Sequence, residues 1–295
     1  MDYVGRFAPS PTGPLHAGSV AAALASYLHA RQHNGRWLLR IDDLDPPRCV
    51  AGSAQQIVDL LERLQLHWDG AVYYQRRRRS DHAAVAATLL EQGLAFRCEC
   101  TRSDLLRFHK VGPLGIRYDG RCRRRHVPAD DSAVRVFVDA GIAAFDDLLQ
   151  GRQATDLSAE IGDYVIFRRD RLPAYHLAAV LDDYDQGITD VVRGSDLLAA
   201  TCIHVHLAGV LGLPRPRYWH IPVLCTENGE KLSKRHRSAA VAELSAAQIA
   251  FSALRHIGAE PPGELAGAAP ETLWRWAQEH WRIECLRGQL MRPAA

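Results

Sequence analysis

The stretch Arg6-Phe-Ala-Pro-Ser-Pro-Thr-Gly-Pro-Leu-His-Ala-Gly-Ser19 follows a short apolar run and opens an alanine-rich segment. It sets His16 and Gly18 at the start of a helix, where free backbone N–H groups and the positive end of the helix dipole favour a phosphate. Gly18 lets that phosphate come close to the chain. A second stretch, Lys231-Leu-Ser-Lys-Arg235, lies far downstream behind Gly229 and carries two cations three apart, suited to the charge that builds as pyrophosphate leaves. Together they read as two halves of one ATP site. Taken singly, each has a plainer reading: a helix-capping histidine at 16, an exposed loop at Lys231 and Lys234.

Three of the seven cysteines crowd between positions 98 and 122, as Cys98-Glu-Cys100 followed by Tyr118-x-x-x-Cys122. An odd total with this clustering suits a metal in a reducing compartment better than a disulfide framework. Three thiolates and one more ligand would close a tetrahedral, structural zinc site, with reduced core cysteines as the alternative. Histidine is normally a better fourth ligand than a phenol, so His109 and His126 stand beside Tyr118. Cys49, Cys202, Cys225 and Cys285 show no ligand spacing.

The elements that must position these residues follow from the pattern. Val4 to Ala8 reads as a buried strand, Val20 to Gln32 as a helix, and Trp37 to Ile41 as a second strand. Asp42 and Asp43 then sit at its carboxyl end, where ligands of doubly wound sheets bind. Ser53 is placed as the cap of a helix through Leu64, and Ser80 of another through Gln92. From Phe96 to about Ala159 the rhythm breaks, with a strand-like Val134 to Val138, and it resumes at Tyr164 to Phe167, a helix from Tyr175 and a strand at Thr189 to Val192. The chain past Lys234 reads as helical. The expected class is α/β: a Rossmann-like doubly wound parallel sheet with a zinc-containing insertion and a small C-terminal helical subdomain. The expected division is 1–95 and 161–237 for the two catalytic halves, 96–160 for the insertion, and 238–295 for the helical subdomain. Trp37, Trp68 and Trp219 fall in or beside these elements and are expected to pack.

With 295 residues, 47% of them hydrophobic, the chain can bury a sizeable core, and no apolar stretch approaches the roughly twenty residues that span a bilayer. A cytoplasmic monomer without membrane contact is expected. The net charge of +2 announces no nucleic acid by itself, although Arg76 to Arg79 and Arg121, Arg123, Arg124 and Arg125 form runs that are solvated faces or phosphate contacts.

The two signature stretches resemble the HIGH and KMSKS motifs of class I aminoacyl-tRNA synthetases. Arg-Phe-Ala-Pro-Ser-Pro-Thr-Gly with Leu-His-Ala-Gly, and Arg40-Ile-Asp-Asp-Leu-Asp45 and Val192-Arg-Gly-Ser-Asp196 between the motifs, are similar to the glutamyl/glutaminyl branch. The likeness covers about Val4 to Arg235. About 60 residues remain after Lys234, near the lower bound for an independent domain, so no separate anticodon-reading module is expected. A core of this kind with the Cys-x-Cys…Tyr-x-x-x-Cys cluster resembles the glutamyl-Q tRNA(Asp) synthetase family. That resemblance implies activation of L-glutamate by ATP with Mg²⁺, and transfer to queuosine in the anticodon of tRNA(Asp) rather than to a tRNA 3′ end.

It also implies roles. His16, Gly18, Ser19, Lys231 and Lys234 would hold ATP, with His16, Lys231 and Lys234 acting on the phosphates. Arg6, Phe7, Ala8, Pro9, Ser10, Asp42, Tyr175 and Arg193 would hold glutamate, an arginine fork gripping its second carboxylate and the acid its α-ammonium group. Cys98, Cys100, Tyr118 and Cys122 would hold one structural zinc. The family usually has Glu where this chain has Asp42, so Asp42 acts through water or shares the role with Asp43. Two rival readings are a short glutamyl-tRNA synthetase charging 3′ ends and a non-catalytic RNA-binding paralogue.

Overall fold

The computed structural model of the chain describes residues 2–107, 111–112, 114–226 and 244–294. Strand β1 (Val4–Phe7) leads into helix α1 (Ala17–Gln32), which returns the chain to β2 (Arg36–Ile41), parallel to β1 with Val4 opposite Arg36. Gly35 makes the return possible: a Cβ there would lie 2.6 Å from the Tyr3 carbonyl oxygen. Helix α2 (Ser53–Arg63) and the short β3 (Tyr73–Tyr74), parallel to β2, follow, and then α3 (Arg79–Glu91). Two expected caps are corrected here. Gly52, not Ser53, is the N-cap of α2, and the Ser53 hydroxyl instead donates to the Gly13 carbonyl at 2.7 Å. Ser80 lies inside α3, which a 3₁₀ turn over Gln75–Arg78 leads into without a side-chain cap.

The 96–160 stretch carries two different structures. Strands β4 (Ala95–Cys98) and β7 (Ala133–Val136) pair antiparallel, with α4 (Arg102–Leu106) and the two-residue strands β5 (Val111–Gly112) and β6 (Gly115–Ile116) between them. The hairpin β8 (Ile142–Asp147) and β9 (Gly151–Asp156) belongs elsewhere. After α5 (Leu157–Glu160), strand β10 (Val165–Phe167) joins β7, and α6 (Tyr175–Asp185), β11 (Asp190–Gly194), α7 (Thr201–Val210) and β12 (Arg217–Ile221) form the second half. Strand β12 runs parallel to β11 and, through Tyr218 opposite Asp147, to β8.

The halves meet between β1 and β11, where Thr189 N–H donates to the Val4 carbonyl and Val4 N–H to Thr189 Oγ1, both at 2.9 Å. Read across, the strands run β3-β2-β1-β11-β12-β8-β9, so the winding reverses at this junction and opens a crevice at the carboxyl ends. The two central parallel strands, β1 and β11, are buried on both faces. Trp37, Leu39, Ile41 and Val192 enter one core with α1; Leu38, Val191 and Tyr218 enter the other with α6 and α7.

After β13 (Val223–Cys225), helices α8 (Ala246–His256) and α9 (Pro270–His280) pack on α1, which explains why α1 is apolar nearly all round. The C-terminal helices have no core of their own. Trp274 Nε1–H donates to the Leu64 carbonyl at 2.7 Å, and Gln32 reaches the Trp281 carbonyl at 2.6 Å. Strand β14 (Met291–Pro293) pairs parallel with β13. Trp37 is fully buried, and Trp68 and Trp219 pack against the same core.

Candidate active site at the strand crossover

The loop after β1 is anchored on its outer side and faces a cleft on its inner side. Asp42 N–H donates to the Pro9 carbonyl and Val50 N–H to that of Pro11, both at 2.9 Å, while Ser53 grips Gly13. The inner side lines a cleft of about 330 Å³, with Phe7 to Ser10, His16, Gly18 and Ser19 on one wall and Gly194, Asp196 and Ile221 to Leu224 on the other. His16 is the N-cap of α1: Ser19 N–H donates to its Nδ1 at 3.3 Å, and Ser19 Oγ lies 3.1 Å from Nε2. A Cβ on Gly18 would lie 3.2 Å from the imidazole, so glycine keeps the ring over the helix start. Lys231 and Lys234 lie outside the described residues.

Beside this cleft is a buried charge cluster that sequence reasoning saw in part. Arg6 pairs with Asp183 through Nε at 3.1 Å, and Arg40, itself fully buried, bridges Asp183 at 2.7 Å and Asp42 at 2.8 Å. Asp182, the neighbour of Asp183 on α6, accepts from Gln75 and lies 2.8 Å from His82. Three carboxylates thus face two guanidiniums. Burial alone would raise Asp183, but Arg6 and Arg40 hold it below the usual carboxylate range. The surplus falls on Asp42: burial pushes it up to about 6 against the pull of Arg40, helped by Asp182 and Asp183. Asp43 faces away and accepts from Arg76, N–H at 2.8 Å and Nη1 at 3.0 Å.

Across the junction Arg193, 7% exposed, is the opposite case. Its Nε–H donates to His220 Nε2 at 3.0 Å, Nη2 to Thr201 Oγ1 at 2.7 Å and Nη1 to Tyr175 Oη at 3.4 Å. None of these acceptors is charged, so among the described residues this buried cation has no carboxylate partner. Asp183, Thr201 and His220 were missed from the sequence. One signal was available for the first: two adjacent aspartates in the apolar helix Tyr175–Asp185.

The thiols of Cys98, Cys100 and Cys122 lie within 4.8 Å of one another, and none is oxidised. Cys100 and Cys122 are 3.6 Å apart, and Tyr118 Oη is 3.6 Å from Cys98. Four donors at zinc–thiolate distance from one centre are separated by about 3.8 Å, so these residues fit a tetrahedral metal ion. Burial and the neighbouring thiols push Cys100 up to about 12, whereas Cys98, although burial opposes it, is drawn below the ordinary thiol value by Arg135 and by hydrogen bonds from Tyr118 and Arg135. His126 is exposed and outside the cluster, and His109 lies outside the described residues. Of the arginine runs, Arg76, Arg78, Arg121, Arg123 and Arg125 are each paired with a carboxylate, while Arg77 lies over the Tyr74 ring.

A sheet whose winding reverses beside a cleft at a helix start has the place where doubly wound sheets bind their ligands, and its relatives give the class. Residues 3–257 match the model of the tRNA synthetases class I (E and Q), catalytic domain, and the chain belongs to that family, as a ligase of the class I aminoacyl-tRNA synthetase type. Within it the chain is similar to the glutamyl-Q tRNA(Asp) synthetases. That of Ectopseudomonas mendocina is 48% identical over 279 residues, covering 95% of this chain and 93% of the relative. That of Aromatoleum aromaticum is 43% identical over 292 residues, covering 99% and 93%. The crystal structure of glutamate-tRNA synthetase from Elizabethkingia anophelis superposes with a TM-score of 0.80 at 23% identity, over 98% of this chain and 67% of that one, a likeness of fold. Among the described residues no helix is long and apolar enough to cross a membrane.

Proposed function

We propose that the chain activates L-glutamate with ATP to glutamyl-adenylate, without needing tRNA for that step, and transfers the glutamate to the queuosine base in the anticodon of tRNA(Asp). The observation that carries the first step is the complementary imbalance across the β1–β11 junction: a surplus carboxylate at Asp42 and, at Arg193, a guanidinium with no carboxylate partner among the described residues. A zwitterion bearing a second carboxylate cancels both. Asp42 takes its α-ammonium group; Arg193, with Arg6 and Tyr175, takes the side-chain carboxylate, and Phe7 to Ser10 form the wall between them. The α-carboxylate oxygen attacks the α-phosphorus, and the bond to pyrophosphate breaks. His16, Gly18 and Ser19 receive the phosphates at the start of α1, and Lys231 and Lys234 stabilise the leaving charge. A hydroxyl of the queuosine cyclopentenediol then attacks the glutamyl carbonyl and releases AMP.

The relatives' names support queuosine as acceptor. Cys98, Cys100, Tyr118 and Cys122 would hold one zinc ion, which staples a loop-rich region and takes no part in the chemistry. A cytoplasmic setting keeps those thiols reduced. The test is transfer of labelled glutamate to tRNA(Asp) with and without queuosine. Label that depends on queuosine and survives removal of the 3′ nucleotide is expected; label that follows the 3′ end overturns the acceptor assignment.

A further inference from the structure

Arg193 and His220 are register partners on the adjacent parallel strands β11 and β12, so their side chains leave the same face of the sheet. Behind His220 stands Asp147, the last residue of β8, with neither side chain exposed. Its carboxylate accepts from Leu149 N–H at 3.1 Å, from Gln150 N–H at 2.9 Å and from His220 Nδ1 at 2.6 Å.

The imidazole and guanidinium protons in this chain can be assigned one by one. A carboxylate only accepts, so the imidazole hydrogen sits on Nδ1. A guanidinium only donates, so the Nε2 lone pair takes the Arg193 Nε–H at 3.0 Å. The Thr201 oxygen lies 2.8 Å from the Leu197 carbonyl and 3.1 Å from His220 Nε2, and with its hydrogen given to either acceptor it still accepts Arg193 Nη2–H at 2.7 Å. A second proton on His220 would set N–H against N–H. Three hydrogen-bond acceptors therefore fix the plane of the guanidinium, and the one negative charge in line with it is held a full imidazole width away.

We infer that His220 and Asp147 are positioning residues for the amino-acid substrate: they orient Arg193 without neutralising it, and so set the preference for a side-chain carboxylate over the corresponding amide. This rests on the glutamate reading of the site. A carboxylate placed directly on Arg193 would have oriented it equally well and cancelled the charge that selects the acid. The neutral ring achieves the first without the second.

The test uses the full chain and two variants that each keep half of the relay. In His220→Asn the side-chain amide reaches only the Nδ1 position, so it meets Asp147 and leaves Arg193 Nε–H without an acceptor. In His220→Gln the amide oxygen reaches the Nε2 position and restores that acceptor. In glutamate-dependent ATP–pyrophosphate exchange, the Asn variant is expected to raise the KM for glutamate by roughly 10- to 100-fold, the worth of one hydrogen bond to a charged group, with the KM for ATP unmoved. The Gln variant is expected to recover most of that loss. Equal rises in both KM values, or a Gln variant no better than Asn, overturn the relay. Heteronuclear NMR of the unliganded wild type needs neither variant nor activity: it is expected to show the Nδ1–H tautomer of His220 and a slowly exchanging Arg193 Nε–H, and the other tautomer overturns the inference. A wild type with the expected NMR signature but no glutamate-dependent exchange would sink the functional reading instead.

Discussion

Asp42 offers the sharpest link between the geometry and a measurable rate. Its carboxyl is pushed up to about 6 because it is buried in a cluster with one carboxylate too many. On the proposed reading only the ionised form answers the α-ammonium group of glutamate. About nine-tenths of Asp42 is ionised at pH 7 and about one-tenth at pH 5, so the KM for glutamate in pyrophosphate exchange should rise about tenfold over that interval. The side-chain carboxyl of free glutamate, ordinarily near 4.3, stays mostly charged at pH 5 and accounts for little of the change. In Asp42→Asn the KM should already be high at pH 7 and should not move on acidification. The folding linkage has the matching sign. The folded-state value lies above the ordinary 3.8, so the folded protein binds more protons through the window from about 4 to 6, and this group's contribution to stability falls as pH rises through it. The variant should therefore gain thermal stability relative to wild type at pH 7, with the difference fading by pH 4. A wild-type KM that stays flat from pH 8 to pH 5, or an Asn variant with the same tenfold slope, would refute this account.

Asp183→Asn leaves Arg6 and Arg40 buried with one anion fewer, and should cost about 3–5 kcal/mol in denaturant unfolding. Because the Asp183 value is depressed, its contribution is present above the unfolded-state value near 4 and is lost as pH falls below it; a cost under about 1 kcal/mol at pH 7 would count against the network. Cys98→Ser should abolish the zinc content of protein purified without added metal and lower its melting temperature. Cys285→Ser, at an exposed position, should do neither, and a zinc-free wild type would remove the metal assignment.

Local signals in the chain were legible because each lies within one short stretch of sequence. The run from Arg6 to Ser19 announces strand, loop and helix start in order, and the structure has α1 beginning at Ala17, immediately after His16. The Cys-x-Cys and Tyr-x-x-x-Cys spacings bring their side chains together as read. What escaped was pairing between elements. Asp183 meets Arg6 across 177 positions and Arg40 across 143, and His220 meets Asp147 across 73, distances over which no periodicity survives. Ser53 misled for a related reason. Serine before an apolar helix reads as a cap, but the hydroxyl found a better partner in Gly13, forty positions away. The hairpin of β8 and β9 was missed both as strands and as partners, because it lies in the stretch read as one insertion and its place in the sheet is set by pairing with β12, far along the chain.

On the proposed reading, the hydrogen bonds between Val4 and Thr189 make the crossover a length gauge. The negative pole at Asp42 is carried by the first half of the sheet and the positive pole at Arg193 by the second, so the span between them is set by backbone joinery rather than by flexible side chains. On that reading, a dicarboxylic amino acid one methylene shorter would have to leave one pole unanswered.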